Sequence, residues 1–119
     1  MERLNLGEII DLLKIQPMDN HVRFDFGGLS PTKCRSYRGY YEDLAIGFDQ
    51  EVDPTVSDIL KDLQDAVGKT FTGYKGGEYT MRRKSRVWVA NYQYTSDTAI
   101  IGLEDCEYTT VIKTAHMPR

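Results

Sequence analysis

No stretch of the chain approaches the roughly 20 consecutive apolar residues that a membrane-spanning helix needs. The first residues, Met1-Glu2-Arg3-Leu4-Asn5, lack the apolar core of a secretory leader, so the expected location is the cytoplasm and no membrane partner is expected. Cysteine is scarce. Cys34 and Cys106 stand far apart, with neither a CxxC spacing nor a histidine pair beside them, so a zinc site is not indicated and no disulfide is demanded. Histidine is as scarce: His21 and His116 have no HxH or HxxxH partner and no spacing that joins them to a serine, a cysteine and an orienting acid. A basic excess is also missing. The formal net charge of −3 argues against a general nucleic-acid coat, because neutralising phosphate needs a basic footprint.

The 119 residues suit one domain, and 40% hydrophobic with 28% charged residues is far from the composition of disorder. Asn5 followed by Glu8 forms a capping-box pattern, and Leu6, Ile9, Ile10 and Leu13 recur at helical spacing before Pro17, predicting a helix over about 5–15. Val22, Phe24 and Phe26 alternate with polar residues up to Gly27-Gly28, predicting a half-buried strand. Residues 31–35 read as a loop and 36–48 as a strand, with Leu44, Ile46 and Phe48 on one face and the small Ala45 and Gly47 on the other. A second helix follows. Thr55 or Asp53 can cap it, Pro54 suits its first turn, Val56, Ile59, Leu60, Leu63, Ala66 and Val67 form its apolar stripe, and Gly68 suits its stop. Further strands are expected at 70–74, 78–81, 86–92, 98–103 and 107–114, the last two separated by Glu104, Asp105 and Cys106. The expected fold is a single α+β domain over 1–119: a mainly antiparallel sheet with two short amphipathic helices.

Gly68-Lys69-Thr70 resembles part of a phosphate loop, but the glycine required five positions earlier is Leu63, and the tripeptide follows a helix instead of a strand. Adjacent acids such as Glu42-Asp43 and Glu104-Asp105 point to opposite faces of a strand and do not form an acid/base pair. No catalytic residue, metal ligand or cofactor site is therefore assigned. Charge is unevenly placed: residues 42–65 hold eight acidic and one basic residue, whereas 69–86 hold six basic residues and only Glu78 on the acidic side. Such halves can steer an anionic ligand or a partner.

Aromatic and cationic residues cluster. Ser36-Tyr37-Arg38-Gly39-Tyr40-Tyr41 sets three tyrosines around an arginine, and Tyr74, Tyr79, Trp88, Tyr92 and Tyr94 follow in the β-rich half. Tyrosine offers a flat apolar face, and arginine forks onto phosphate. The expected pocket joins Tyr37, Arg38, Tyr41, Lys75, Tyr79 and Asn91 around a small anionic, nucleotide-like ligand, with Arg38 and Lys75 on phosphate, the tyrosines stacking and Asn91 reading a polar edge. The same residue types also serve as anchors for docking on another protein. A small hydrolase or nuclease using His21 or His116 is a third reading. A homodimer or higher homo-oligomer could bury some of the rings.

The strings Ser36-Tyr37-Arg38-Gly39-Tyr40-Tyr41-Glu42-Asp43-Leu44-Ala45-Ile46-Gly47, Val67-Gly68-Lys69-Thr70-Phe71-Thr72-Gly73-Tyr74-Lys75-Gly76-Gly77-Glu78-Tyr79 and Val87-Trp88-Val89-Ala90-Asn91-Tyr92, together with Phe24-Asp25-Phe26-Gly27-Gly28-Leu29, resemble short uncharacterised proteins of tailed bacteriophages. The resemblance implies a phage origin and action in the host cytoplasm during infection. Small non-catalytic phage proteins of this size include sponges that sequester nucleotide immune signals, an analogy of size and setting without a shared motif, so the expected function is binding of a nucleotide-like ligand, with sequestration in counter-defence as its extension.

Overall fold

Two capped helices begin the local structure. In the computed structural model, which describes residues 2–73, 75–91 and 94–118, helix α1 spans Leu6–Lys14 and helix α2 spans Val56–Ala66. Asn5 accepts from the Glu8 amide and Glu8 from the Asn5 amide, both at 2.9 Å, as the capping pattern predicts. Thr55 and Asp58 repeat the box at α2, with Pro54 one residue before the cap and outside the first turn. Helices of 9 and 11 residues are marginal alone, so burial of one face must hold them. Leu6, Ile9, Ile10 and Leu13 of α1 and Val56, Ile59, Leu60, Leu63 and Ala66 of α2 supply that face. Among the described residues, no helix is long and apolar enough to cross a membrane.

Eight strands complete the fold: β1 His21–Phe24, β2 Ser30–Ser36, β3 Leu44–Asp49, β4 Thr70–Thr72, β5 Glu78–Thr80, β6 Val87–Val89, β7 Thr98–Cys106 and β8 Thr109–His116. Six form one mixed sheet in the order β1-β8-β7-β6-β3-β2, and β4 and β5 form a separate hairpin. β2/β3, β6/β7 and β7/β8 are antiparallel, whereas β1/β8 and β3/β6 are parallel. The expected α+β class and mainly antiparallel sheet are thus present.

The first strand ends at Phe24 instead of Phe26 and the strand expected over 86–92 is confined to Val87–Val89, and three further boundaries differ from the sequence reading. Residues 31–35 belong to β2, because Pro31 lies on an edge strand where its missing N–H costs no ladder bond, and the register shifts between Pro31 and Cys34. Residues 37–43, read as strand, make the β2–β3 connection, closed by Tyr37 N–H to Asp43 O and Asp43 N–H to Tyr40 O, both 2.8 Å. The β7–β8 turn is Glu107-Tyr108, not Glu104–Cys106, which lies in β7; both turn residues have positive φ, 25° and 67°. The expected strand ends at Tyr74 and Tyr92 lie outside the described residues.

Alternation along β3 and β6 gives the sheet two unlike faces. Leu44, Ile46, Val87 and Val89 join the helices in the main core with Phe24, Ile100 and Ile112. Ala45, Trp88 and Ala90 face the other way and pack with Tyr37 in a second, aromatic core. Small residues at Ala45 and Gly47 are what let other groups approach the sheet there: a Cβ on Gly47 would collide with Thr32 Oγ1 and crowd Asn91 Oδ1.

Candidate functional site

The 37–43 connection is anchored from below. Tyr37 is 2% exposed, and its ring stacks on Trp88 with centroids 5.0 Å apart, while the Arg3 guanidinium lies 4.1 Å from the Trp88 ring. The Tyr37 hydroxyl donates to the Ser96 carbonyl and accepts from the Ser96 amide. The Trp88 indole N–H donates to the buried Asp43 carboxylate at 2.8 Å, and Arg86 approaches the same oxygen at 3.2 Å. Asp43 and Tyr37 therefore belong to the second core, which bends the chain where its tyrosines would otherwise favour an extended strand.

The six expected binding residues separate accordingly. Tyr37 turns into this core; Arg38 is exposed on the connection. Tyr41 and Tyr79 meet at 5.5 Å, above Gly73, where a Cβ would come within 3.1 Å of Tyr41 Cδ1 and 2.9 Å of Tyr79 Cε2. Lys75 is exposed in the turn between β4 and β5, the strand that carries Tyr79. The structure thus brings together the Tyr41 and Tyr79 rings and the glycine turn beside Lys75. Asn91 is placed elsewhere, holding the Phe48 amide at 2.8 Å through Oδ1. Tyr74 and Tyr92 lie outside the described residues.

Asn91 lines a groove of about 740 Å³ between the edge strand β2, the end of β3, residues 49–54 and α2. Pro31, Phe48, Val52, Pro54 and Ile59 give it an apolar wall, and Lys33, Arg35, Asp49 and Asp62 set charges of both signs around it. Its volume falls in the range of sites for small organic ligands, roughly 300–1,000 Å³. No family model matches the chain, nor does any curated protein or solved structure.

Most of these groove residues escape a sequence reading. Lys33 and Arg35 alternate along β2, but Pro31 disguises the strand, and Asp62 lies on α2, 27 residues after Arg35 in the chain and reunited with β2 only by packing. A smaller cavity of about 230 Å³ lies between β2, α2 and β4, lined by Lys33, Cys34, Asp62, Asp65, Ala66, Lys69 and Phe71. Burial, then the neighbouring Asp62 carboxylate, pushes the Cys34 thiol up to about 12. Cys34 is thereby a weak nucleophile at neutral pH.

The histidines do not converge. His21 pairs with Asp53 at 2.9 Å, and His116 lies seven residues along β8 from Thr109, the partner of His21 in the parallel register. At about 3.3 Å per residue that separation is roughly 23 Å. Among the described residues, no three His, Cys, Asp or Glu side chains gather as metal ligands.

Proposed function

We propose that the protein binds, without converting it, a small anionic nucleotide-like ligand in the groove beside β2. The observation that carries this reading is the combination of an apolar wall with Lys33 and Arg35, beside Asp49 and Asp62, in one cavity of ligand size. The ring of the ligand rests on Phe48, Val52 and Ile59, its phosphate meets Lys33 and Arg35, and the Asn91 amide group reads a polar edge. Lys33 makes no ion pair among the described residues, so its ammonium is available to a phosphate. Asn91 is the member of the expected set that this pocket retains. Within the same proposal, the resemblance of its strings to short phage proteins supports binding in an infected host cytoplasm, where the effect is to sequester a nucleotide signal. Calorimetric titration with nucleoside monophosphates, cyclic nucleotides and ADP-ribose tests it. Binding in the micromolar range, weakened at least tenfold by Lys33→Glu, is expected; a flat titration with every member of the panel overturns the reading.

A second reading, docking on a host protein, draws on one observation. Ile15 and Tyr108 are each 76% exposed and Met18 38%, and Asn20 ties their two loops together through Asp105 and Thr110. Large exposed apolar side chains at one end of a domain suit a protein contact. Capture of a stoichiometric host protein that Tyr108→Glu abolishes would favour docking over sequestration.

A further inference from the structure

The groove and the smaller cavity have Lys33 and Asp62 in common, so they open on either side of the same pair of side chains. At about 230 Å³ the smaller space falls below the usual range for a ligand site of its own, and the shared Lys33 and Asp62 set it next to the groove. Its chemistry differs from that of the larger lobe. Asp62 and Asp65 on the α2 side offer carboxylate oxygens, and Lys69 brings a cation, its ammonium 5.0 Å from the Phe71 ring centroid. Ionised carboxylates only accept hydrogen bonds, and vicinal hydroxyls of a sugar are suitable donors for them. Lys61 already binds Asp65 Oδ2 at 3.0 Å, leaving Oδ1 for such a donor. From one end to the other, the surface therefore runs from an apolar wall, past Lys33 and Asp62, to a carboxylate-rich lobe with Lys69.

We propose that the two cavities are lobes of one site for a nucleotide extended through its phosphate by a second sugar, the chemical class of ADP-ribose and the dinucleotides. The inference rests on the groove being the nucleotide site proposed above and adds the class of nucleotide. The base occupies the wall of Phe48, Val52 and Ile59. The linking diphosphate lies at the waist on Lys33. The distal sugar enters the small lobe, its hydroxyls donating to Asp62 and Asp65, with Lys69 beside the phosphate nearest it. A mononucleotide fills only the larger lobe.

Calorimetric titrations of the full-length protein with AMP and with ADP-ribose test this, using the parent chain and the Lys69→Glu, Asp65→Asn and Lys33→Glu variants, each checked for an unchanged melting profile. ADP-ribose is expected to bind at least tenfold more tightly than AMP. Lys69→Glu and Asp65→Asn are expected to weaken ADP-ribose about tenfold and several-fold respectively while leaving AMP unchanged, whereas Lys33→Glu weakens both. Equal affinity for the two ligands, or indifference of ADP-ribose to both small-lobe variants, overturns the two-lobed site; AMP binding that still depends on Lys33 then leaves the groove reading standing. Absence of binding by either ligand overturns both.

Discussion

The phenol of Tyr37 both donates to the Ser96 carbonyl and accepts from the Ser96 amide, while its ring lies on Trp88. Removing the hydroxyl leaves two backbone groups without that partner, which costs about 1–3 kcal/mol for buried groups. Tyr37→Phe is accordingly expected to lower stability by roughly 2 kcal/mol in urea unfolding and to leave nucleotide affinity unchanged. A loss of affinity without a loss of stability would return Tyr37 to the binding site. The two cysteines invite a second test. The Cys34 thiol is pushed up to about 12 by burial and by Asp62, whereas Cys106 is exposed, its thiol also raised, first by local desolvation and then by Glu104. Thiolate is the reacting form. At pH 8 a maleimide should label Cys106 first and Cys34 far more slowly, as followed by intact-mass spectrometry; equal rates would contradict the burial of Cys34.

Elements were legible where a local pattern decides them. Both helices follow from a capping residue and an apolar stripe, and the glycine hairpin between β4 and β5 follows from Gly76 and Gly77, whose φ values are 89° and 84°. Strand limits were less legible, because what ends a strand is often a distant partner. The β2–β3 connection forms where Asp43 meets Trp88, 45 residues away in the chain. Pro31 hid β2 because its tolerance depends on lying at an edge. The β7–β8 turn was misplaced for a different reason: Glu107 and Tyr108 occupy a positive-φ turn that usually selects Asn-Gly. Left-handed backbone costs a non-glycine residue about 1 kcal/mol. Replacing Glu107-Tyr108 by Asn-Gly should therefore raise stability by about 1 kcal/mol, seen as a rise of several degrees in melting temperature. A fall would mean that the side chains hold the turn by contacts stronger than the strain.

At the scale of the whole molecule, folding mixes charges that the chain keeps apart. The acidic segment 42–65 and the basic segment 69–86 meet at Arg86 and Asp43, and Lys69 shares a cavity with Asp62 and Asp65. A ligand held in the groove binds only the folded state, so at about 100 times its Kd it should add about 2.7 kcal/mol of stability. Thermal unfolding with saturating ADP-ribose is expected to shift upward by several degrees in the parent chain and by little in Lys33→Glu. The same packing explains why the candidate site was only partly legible. Of the residues expected to bind, Asn91 lines the groove, but Lys33, Arg35, Phe48 and Asp62 come from β2, β3 and α2 and share no sequence spacing.

Composition, helix caps and alternation by themselves determined a single α+β domain with two short amphipathic helices on a mainly antiparallel sheet, because those signals act within a few residues of chain. The scarcity of cysteine, histidine and net positive charge likewise set the classes of function to be weighed. Only the tertiary structure decided that Tyr37 is a core residue, that 37–43 is a bend, and that the groove lies beside β2. Each of those depends on side chains tens of residues apart reaching hydrogen-bonding or van der Waals distance, and no local pattern carries that information.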